Sequence, residues 1–598
     1  MFLRSTRRFK DGKEHRYWSI VENRRCVGGK VVQRPVLYLG EINDSQRKEW
    51  CRVLDGFDEN KGENRQMALF AWDREIPAHA ADIGLGIRLK DFSLHHPRQW
   101  GACWLACELY RHLGLDAFWR ERLPDSREGT RWSDILQTLV CYRMIAPGSE
   151  WKLHRHWFEQ SAMGDLLGCD YALMEKNALY RAHDRILPHK RELFSHLTGR
   201  WRDLFGVKFE VLLYDLTSTY FEIDAPDPDT TKKRFGYSRD KRPDCVQVVI
   251  ALVVTPEGFP LAYEVLPGNT SDKTTLRDFL GKIEEQYGKA QRIWVMDRGI
   301  PTEEVLAEMR ASDPPVQYLV GTPKGRLSRY ESDLLALPWQ KVRDGVEVKL
   351  HAEDGEMYVY ARSHDRVAKE RAMRLRQLRG LLKRLRELSE MTLAARELLL
   401  KLGEARERYR QAWRLMDIEL PEPATAAGRK APATFAYKLN LAKLRQARRR
   451  EGRYLLRANM PDAAPADLWK FYIQLTEVEA AFKTLKDDLD LRPIRHHLDS
   501  RIEAHIFISF MAYCLHVTLR ARLRAHAPGL TSRAVLDKFA AIQMLDVHFP
   551  TTDGRTLILS RYTQPSTDQK ILLEKLKLEL PEQPPPRITT SGGLIDSN

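Results

Sequence analysis

Between residues 207 and 323 the chain is written mostly in strand-forming residues, and this stretch constrains the fold more than any other. The runs 208–221 (KFEVLLYDLTSTYF), 245–255 (CVQVVIALVVT), 259–266 (FPLAYEVL), 292–296 (RIWVM) and 316–321 (VQYLVG) are β-branched and aromatic, and Gly, Pro and Asp bound them. Two stretches with helical spacing of apolar residues, 273–287 and 302–311, lie between the later runs. The order β-β-β-α-β-α-β predicts a mixed sheet with helices packed against it.

That order is the one of a ribonuclease H-like core, so the fold class expected is α/β, a mixed-sheet catalytic core carrying a large insertion. Seven regions follow: a basic N-terminal β-hairpin region (1–60), a helical DNA-binding domain (95–205), the first part of the core (207–323) and an insertion domain of strands plus a charged helical hairpin (325–457). The second part of the core (458–525), a C-terminal region (526–580) and a disordered Pro/Ser/Gly tail (581–598) complete the chain. In the helical domain, 133–144 and 149–158 flank Ala146-Pro147-Gly148, which suits a DNA-reading helix-turn-helix or, more simply, an αα-hairpin in a bundle. Residues 467–489 and 500–523 read as two further helices.

Charge points to a partner. The 97 Lys+Arg against 82 Asp+Glu leave a net +15, which favours a polyanion, with nucleic acid first. Two segments concentrate it. Residues 1–40 hold ten Lys/Arg against three acids, and residues 429–457 hold ten against the single acid Glu451, with Phe435, Tyr437 and Tyr454 interleaved. Arg448, Arg449 and Arg450 form the densest run there, a mixture suited to DNA backbone contact. The eight cysteines include no Cys-x-x-Cys pair, and Cys103 and Cys107 read as core packing. The N-terminus lacks the apolar core of a secretory signal, and the longest apolar run, 506–519, is short for a bilayer. The expected location is therefore cytoplasmic and nucleoid-associated, without a membrane partner.

Three carboxylates could carry chemistry. Asp215 lies in an apolar strand, where a carboxylate is costly unless a cation or a donor meets it. Asp297 ends a second apolar strand, just before a loop and helix. Two strands of one sheet each delivering an aspartate suggest a divalent cation between them, because neighbouring carboxylates otherwise repel. In 469–486 (WKFYIQLTEVEAAFKTLK), steps of seven residues on one helix would align Tyr472, Glu479 and Lys486, with Glu477 turned about 200° away. The other acids nearby, Glu222, Asp224, Asp487 and Asp488, fall in a loop or at the helix end.

Tyr472-x2-Leu475-x3-Glu479-x6-Lys486 resembles the Tyr-x2-Arg-x3-Glu-x6-Lys signature of a branch of bacterial insertion-sequence transposases of the Asp-Asp-Glu (DDE) type. Asp215 in YDLTSTYFE and Asp297 in VMDRGI are similar to that branch's first and second aspartates, and the long insertion before the glutamate also matches. The resemblance implies that Asp215, Asp297 and Glu479 bind two Mg2+ (or Mn2+) ions for strand cleavage and strand transfer by a cut-and-paste route. It also implies that Tyr472 and Lys486 position the phosphate, and that a homodimer pairs two terminal inverted repeats with target DNA. Leu475 stands where the signature has Arg, and Lys483 is the nearby base that could take over a phosphate contact. Two other classes share these residues: a metal-dependent nuclease of the same fold without strand transfer, and a non-catalytic DNA-binding descendant of a transposase.

Overall fold

The computed structural model describes residues 2–10, 13–25, 31–40, 74–75, 86–169, 176–223, 231–288, 292–297, 299–322, 334, 337–353, 355–419, 434–460, 462–552 and 554–588. Asp224, the 27–30 turn, Arg429, Lys430 and the end of the tail (589–598) lie outside them.

Strands β1 (Phe2–Lys10), β2 (Lys13–Arg25) and β3 (Val31–Gly40) form an antiparallel sheet in the order β1-β2-β3. The hairpin expected from the sequence gains this first strand, which pairs with β2 from Phe2 opposite Val21 to Lys10 opposite Lys13. Ladder bonds come from the backbone, so a strand rich in charge pairs as readily as an apolar one when its faces meet water. Tyr38 of β3 meets Trp151 edge-on, with ring centroids 6.2 Å apart, and so docks this sheet on the helical layer.

Two short strands follow, β4 (Arg74–Glu75) and β5 (Ser93–Gln99), and then the helical layer. It contains α1 (Gly101–His112), α2 (Trp132–Ile145), a helical run over 150–160 with a π turn at Leu153–Trp157, α3 (Lys176–Ile186) and α4 (Lys190–Phe205). All residues of α2 except Ser133 are buried. A helix covered on every side belongs to a bundle, so the first arm of the pair over 132–160 is core. Cys103, Cys107 and Cys141 are buried in the same layer as packing groups.

The central sheet starts with β6 (Val211–Phe221), β7 (Val246–Val254) and β8 (Pro260–Pro267) as an antiparallel meander. Helix α5 (Asp272–Tyr287) leads to β9 (Ile293–Met296), and α6 (Glu303–Ala311) leads to β10 (Gln317–Gly321). Strand β9 lies parallel to both β6 and β10. β7 is buried at every position, which is why it reads as an unbroken apolar run rather than an alternating one.

The stretch expected as a separate insertion contributes strands to this same sheet. β11 (Gln340–Arg343), β12 (Val346–Glu353) and β13 (Glu356–Ser363) are followed by α7 (His364–Glu390) and α8 (Ala395–Arg408). The small ribbon β14 (Met416–Glu419) and β15 (Ala436–Leu439), then α9 (Leu441–Arg449), lead to β16 (Arg453–Ala458). β16 pairs with β13 on one side and β10 on the other, giving one nine-stranded sheet, β11-β12-β13-β16-β10-β9-β6-β7-β8. The buried Glu356 carboxylate pins the junction by accepting from Arg310 (2.7 Å) and from Arg457. α7 and α8 make the charged hairpin, with Leu378, Leu381, Leu385 and Leu388 buried against Leu398 and Leu402; Leu375 is exposed. Each fully buried leucine there contributes roughly 1.5–3 kcal/mol.

Residues 467–489 differ from the single helix expected. α10 (Pro465–Ile473) ends at Gln474, α11 (Leu475–Lys483) begins at once, and a π turn occupies Thr484–Asp488. The Gln474 amide is shared between the Lys470 and Phe471 carbonyls and the Glu477 amide donates to the Gln474 carbonyl, a tightened turn that shifts the azimuth of everything after it. Neither Gly nor Pro marks the break. Next comes α12 (Asp499–His526), long and apolar enough by composition to cross a membrane, yet its apolar residues are buried within the protein.

β17 (Gln543–Pro550), β18 (Thr556–Tyr562) and β19 (Arg587–Ile588) join β4 and β5 in a five-stranded sheet, β4-β19-β18-β17-β5. The expected disordered tail therefore starts too early. Residues 581–588 pack on β18: the Gln583 side chain donates to the Tyr562 carbonyl and accepts from its amide, both at 3.0 Å. Proline-rich chain is already extended, so it leads without a turn into β19, which pairs with β18 and β4.

Candidate active site

The parallel register of β6 and β9 pairs Tyr214 with Met296, so the next residues, Asp215 within β6 and Asp297 just past the end of β9, lie side by side. Helix α11 packs across β6 and β7 and carries Glu479. The three carboxylates share one electrostatic neighbourhood. Asp215 is pushed up from 3.8 to about 7, chiefly by burial, and the charges of Asp297 and Glu479 add to the rise. The Leu216 amide, which donates to Asp215 Oδ1 at 2.8 Å, and the Arg239 guanidinium oppose it. Asp297 and Glu479 are themselves exposed. Asp215 sits against the core while the other two face solvent, and oxygen donors alone make up the set, as a hard cation such as Mg2+ requires.

The donor and the cation demanded by a carboxylate in an apolar strand are thus the Leu216 backbone amide and the charge of Arg239. That arginine lies on the loop 231–245, which the sequence left unassigned. The loop is tied down by backbone bonds between Arg234 and Gln247 (2.9 and 3.1 Å) and by the Gln247 side chain donating to the Tyr237 carbonyl at 3.1 Å. At Gly236 a Cβ would fall 2.1 Å from the Gly268 carbonyl oxygen, so only glycine lets the loop lie this close. The Arg239 amide donates to Ser218 Oγ of β6 at 3.2 Å. Its signal in the sequence, SRDKR after a Gly-Tyr, is a charge pattern indistinguishable from a solvated loop.

The other expected site residues are placed differently from one another. Glu477 turns toward α12, where Arg524 (2.9 Å) and Arg520 (3.3 Å) pair with it. Lys486, on the π turn, donates to Asp240 Oδ1 at 2.8 Å, and Arg492 reaches the same oxygen. Burial lowers the Lys486 pKa, against the raising effect of Asp240. Tyr472 lies on α10, before the break, edge-on to Tyr454 (5.9 Å between ring centroids) and tilted against Trp469 (6.4 Å). The straight stripe of Tyr472, Glu479 and Lys486 is therefore not one helix face: the turn at Gln474 and the π turn each rotate the chain. Lys483 is exposed on α11. Arg448 and Arg449 are exposed on α9, which packs on the α7–α8 hairpin, and Arg450 is half-buried. Glu222 pairs with Arg242 (3.1 Å) and Asp487 with Arg492 (2.8 Å), while Asp488 is exposed.

Residues 218–515 match the transposase DDE domain family, and residues 3–66 match the IS1634 family transposase N-terminal domain. The chain belongs to the insertion-sequence transposases of the DDE type. Membership implies phosphodiester cleavage and transfer on DNA, generally with divalent metal. No curated protein matches the transposase. Among solved structures, the cryo-EM structure of the piggyBac transposase synaptic complex with hairpin DNA (SNHP) is similar over 76% of this chain and 82% of that chain, at 8% identity and a TM-score of 0.32.

In this transposase Leu475, the departure from the Tyr-x2-Arg signature, is 9% exposed and belongs to the main core. Leu475→Arg, which restores the signature letter, is expected to lower stability by about 2–4 kcal/mol, because the turn at Gln474 aims this position inward and buries the new charge unpaired. Denaturant unfolding of the two proteins measures it, and equal midpoints would show that the arginine finds a route to water.

Proposed function

We propose that this transposase cuts and joins the terminal inverted repeats of its own element through a carboxylate triad of Asp215, Asp297 and Glu479, by a cut-and-paste route in a dimer that pairs two ends, acting in the cytoplasm at the nucleoid. The observation that carries the reading is the neighbourhood of the three carboxylates around a half-buried aspartate. The strand order supports a ribonuclease H-like core: an antiparallel meander of three strands, then two parallel strands added beside the first.

Two Mg2+ ions bound by Asp215, Asp297 and Glu479 would supply Lewis-acid activation of a water and then of a 3′-hydroxyl against a phosphodiester. The chain's own groups set the rest. With its pKa raised to about 7, Asp215 keeps its proton through the mildly acidic range and must give it up to become a ligand. Arg239, beside it, balances the charge of the metal-free site. Lys486, held by Asp240, becomes a hydrogen-bond donor to phosphate by exchanging that carboxylate for DNA, and Tyr472 and the exposed Lys483 are the further groups assigned to positioning it.

This predicts a coupled pH dependence. The folded protein keeps the Asp215 proton up to about pH 7, whereas an unfolded chain loses it near 3.8. Metal-free stability therefore falls as pH rises between those values, and the loss ends above about 7. Mg2+ binding displaces the proton, so apparent Mg2+ affinity is expected to rise about tenfold per pH unit below the Asp215 pKa and to flatten above it. Calorimetric Mg2+ titrations on both sides of neutrality measure this; a flat affinity would mean that Asp215 is ionised throughout or is no ligand.

The function is tested by incubating the purified transposase with DNA carrying the ends that flank its own gene, with Mg2+ and a target plasmid. Cleavage at the ends and joined products are expected. Cleavage without joining of pre-cut ends would identify a nuclease instead, and binding without either a non-catalytic descendant.

A further inference from the structure

A second cluster of metal-ligand residues lies inside the protein, sharing no residue with the carboxylate triad. Glu150, beginning the helical run after Ser149, faces His183 of α3, His496 of the segment before α12, and His505 of α12. All four are buried, at 6%, 1%, 7% and 6% exposure respectively. Glu150 Oε1 stands 3.3 Å from His183 Nε2, 3.4 Å from His496 Nε2 and 3.7 Å from His505 Nδ1. One donor atom from each residue lies within 4.8 Å of all the others. Four donors at 2.0–2.1 Å from a tetrahedral cation sit about 3.3 Å from one another, and the carboxylate–imidazole separations here are close to that edge.

Hydrogen bonding explains the arrangement only in part. The Glu150 carboxylate is within reach of His183 Nε2 and His496 Nε2, but neither ring nitrogen of His505 makes a well-formed hydrogen bond among the described residues, and an orphaned buried polar atom is costly. His183 Nδ1 lies 3.0 Å from the Leu179 carbonyl, which fixes the proton there and leaves the Nε2 lone pair aimed at the cluster, the usual outer contact of a metal-binding imidazole. Arg143, also buried, is the cation nearby and compensates Glu150, but its Nη1 donates to the Asp490 carbonyl at 3.2 Å, and it offers the imidazole lone pairs no ligand. Three imidazoles and one carboxylate suit a borderline cation better than Mg2+, and four protein ligands leave no position for a substrate.

We propose that Glu150, His183, His496 and His505 bind one zinc-class divalent cation as a closed structural site that clamps the helical layer to the segment following the triad helix. The segment is also tied to β6, since the Ile494 amide reaches the Tyr220 carbonyl five residues beyond Asp215. The ion thus fastens the helical layer to the far end of the strand that carries Asp215.

The test reads metal, not cleavage. Full-length transposase purified without chelator, supplied with zinc and desalted is expected to hold one equivalent by elemental analysis, and its cobalt form to show the visible absorption of a tetrahedral site. A strong zinc chelator should lower its melting temperature. Glu150→Gln should weaken zinc affinity by at least about tenfold, while Asp215→Asn should leave the bound zinc unchanged, which separates this site from the triad. If the unmodified protein retains no zinc and gives no tetrahedral cobalt spectrum, or if Asp215→Asn removes the zinc, the proposal is overturned.

Discussion

Asp215→Asn, Asp297→Asn and Glu479→Gln are each expected to cut Mg2+-dependent cleavage of the element ends by at least about a thousandfold while changing end binding little, because each removes one ligand charge without touching the basic surface. Asp215→Asn has a second, separable signature: it removes the group that titrates near neutrality, so the pH dependence of Mg2+ affinity should disappear with it. Glu477→Gln is the matched control on the same helix. Glu477 pairs with Arg524 and Arg520, which are partly exposed, so its loss should cost at most about 1 kcal/mol of stability and leave cleavage standing. Gel assays on end-containing duplexes with all four variants decide this. A triad variant that cleaves at the parent rate removes that residue from the site.

The second large effect concerns binding. Reversing Arg448, Arg449 and Arg450 to Glu is expected to weaken DNA binding by roughly a hundredfold or more at low salt, on any sequence, and to flatten the dependence on salt concentration. The single acid of the segment, Glu451, is buried against Arg374 and so does not mask the run. Arg448 and Arg449 are exposed while Arg450 is half-buried, so the salt slope should fall by about two phosphate contacts rather than three. Binding to labelled duplex across a salt series gives the slope. An unchanged slope would mean that α9 is a solvated basic helix and that DNA lies elsewhere.

The β6–β10 part of the central sheet was legible because strands buried on both faces must be apolar throughout, and β6 to β10 match their sequence runs to within a few residues, whereas the place of β11 to β13 and β16 in the same sheet was not. Asp215 stood out in the sequence for the converse reason, as a charge inside an apolar strand, whereas Asp297 follows the end of β9 and is exposed. What escaped depends on pairing and on helix phase. β5 is polar and contains a proline, and β19 is two residues long, so neither announces its place in the five-stranded sheet. The turn at Gln474 has no breaker residue, and a stripe drawn at 100° per residue holds only while the helix is unbroken. Arg239, Asp240 and the four ligands around Glu150 come from segments far apart in sequence, and no local spacing joins them.

The five-stranded sheet sets the order in which the protein can be finished. β5 precedes the whole helical layer, yet its ladder partner β17 is hundreds of residues downstream. Buried Arg98 on β5 needs Asp546 on β17, at 3.0 and 3.1 Å, as well as Asp165. On the ribosome, then, the helical layer emerges early with an open strand edge and an arginine short of one carboxylate, and it waits for nearly all of synthesis before closing. A copy of the gene stopped by a frameshift between Lys486 and Gln543 would make a chain whose triad and basic segments are all encoded but whose amino-terminal half is never sealed. Such products should be cleared by proteases rather than persist as DNA-binding competitors of the intact enzyme.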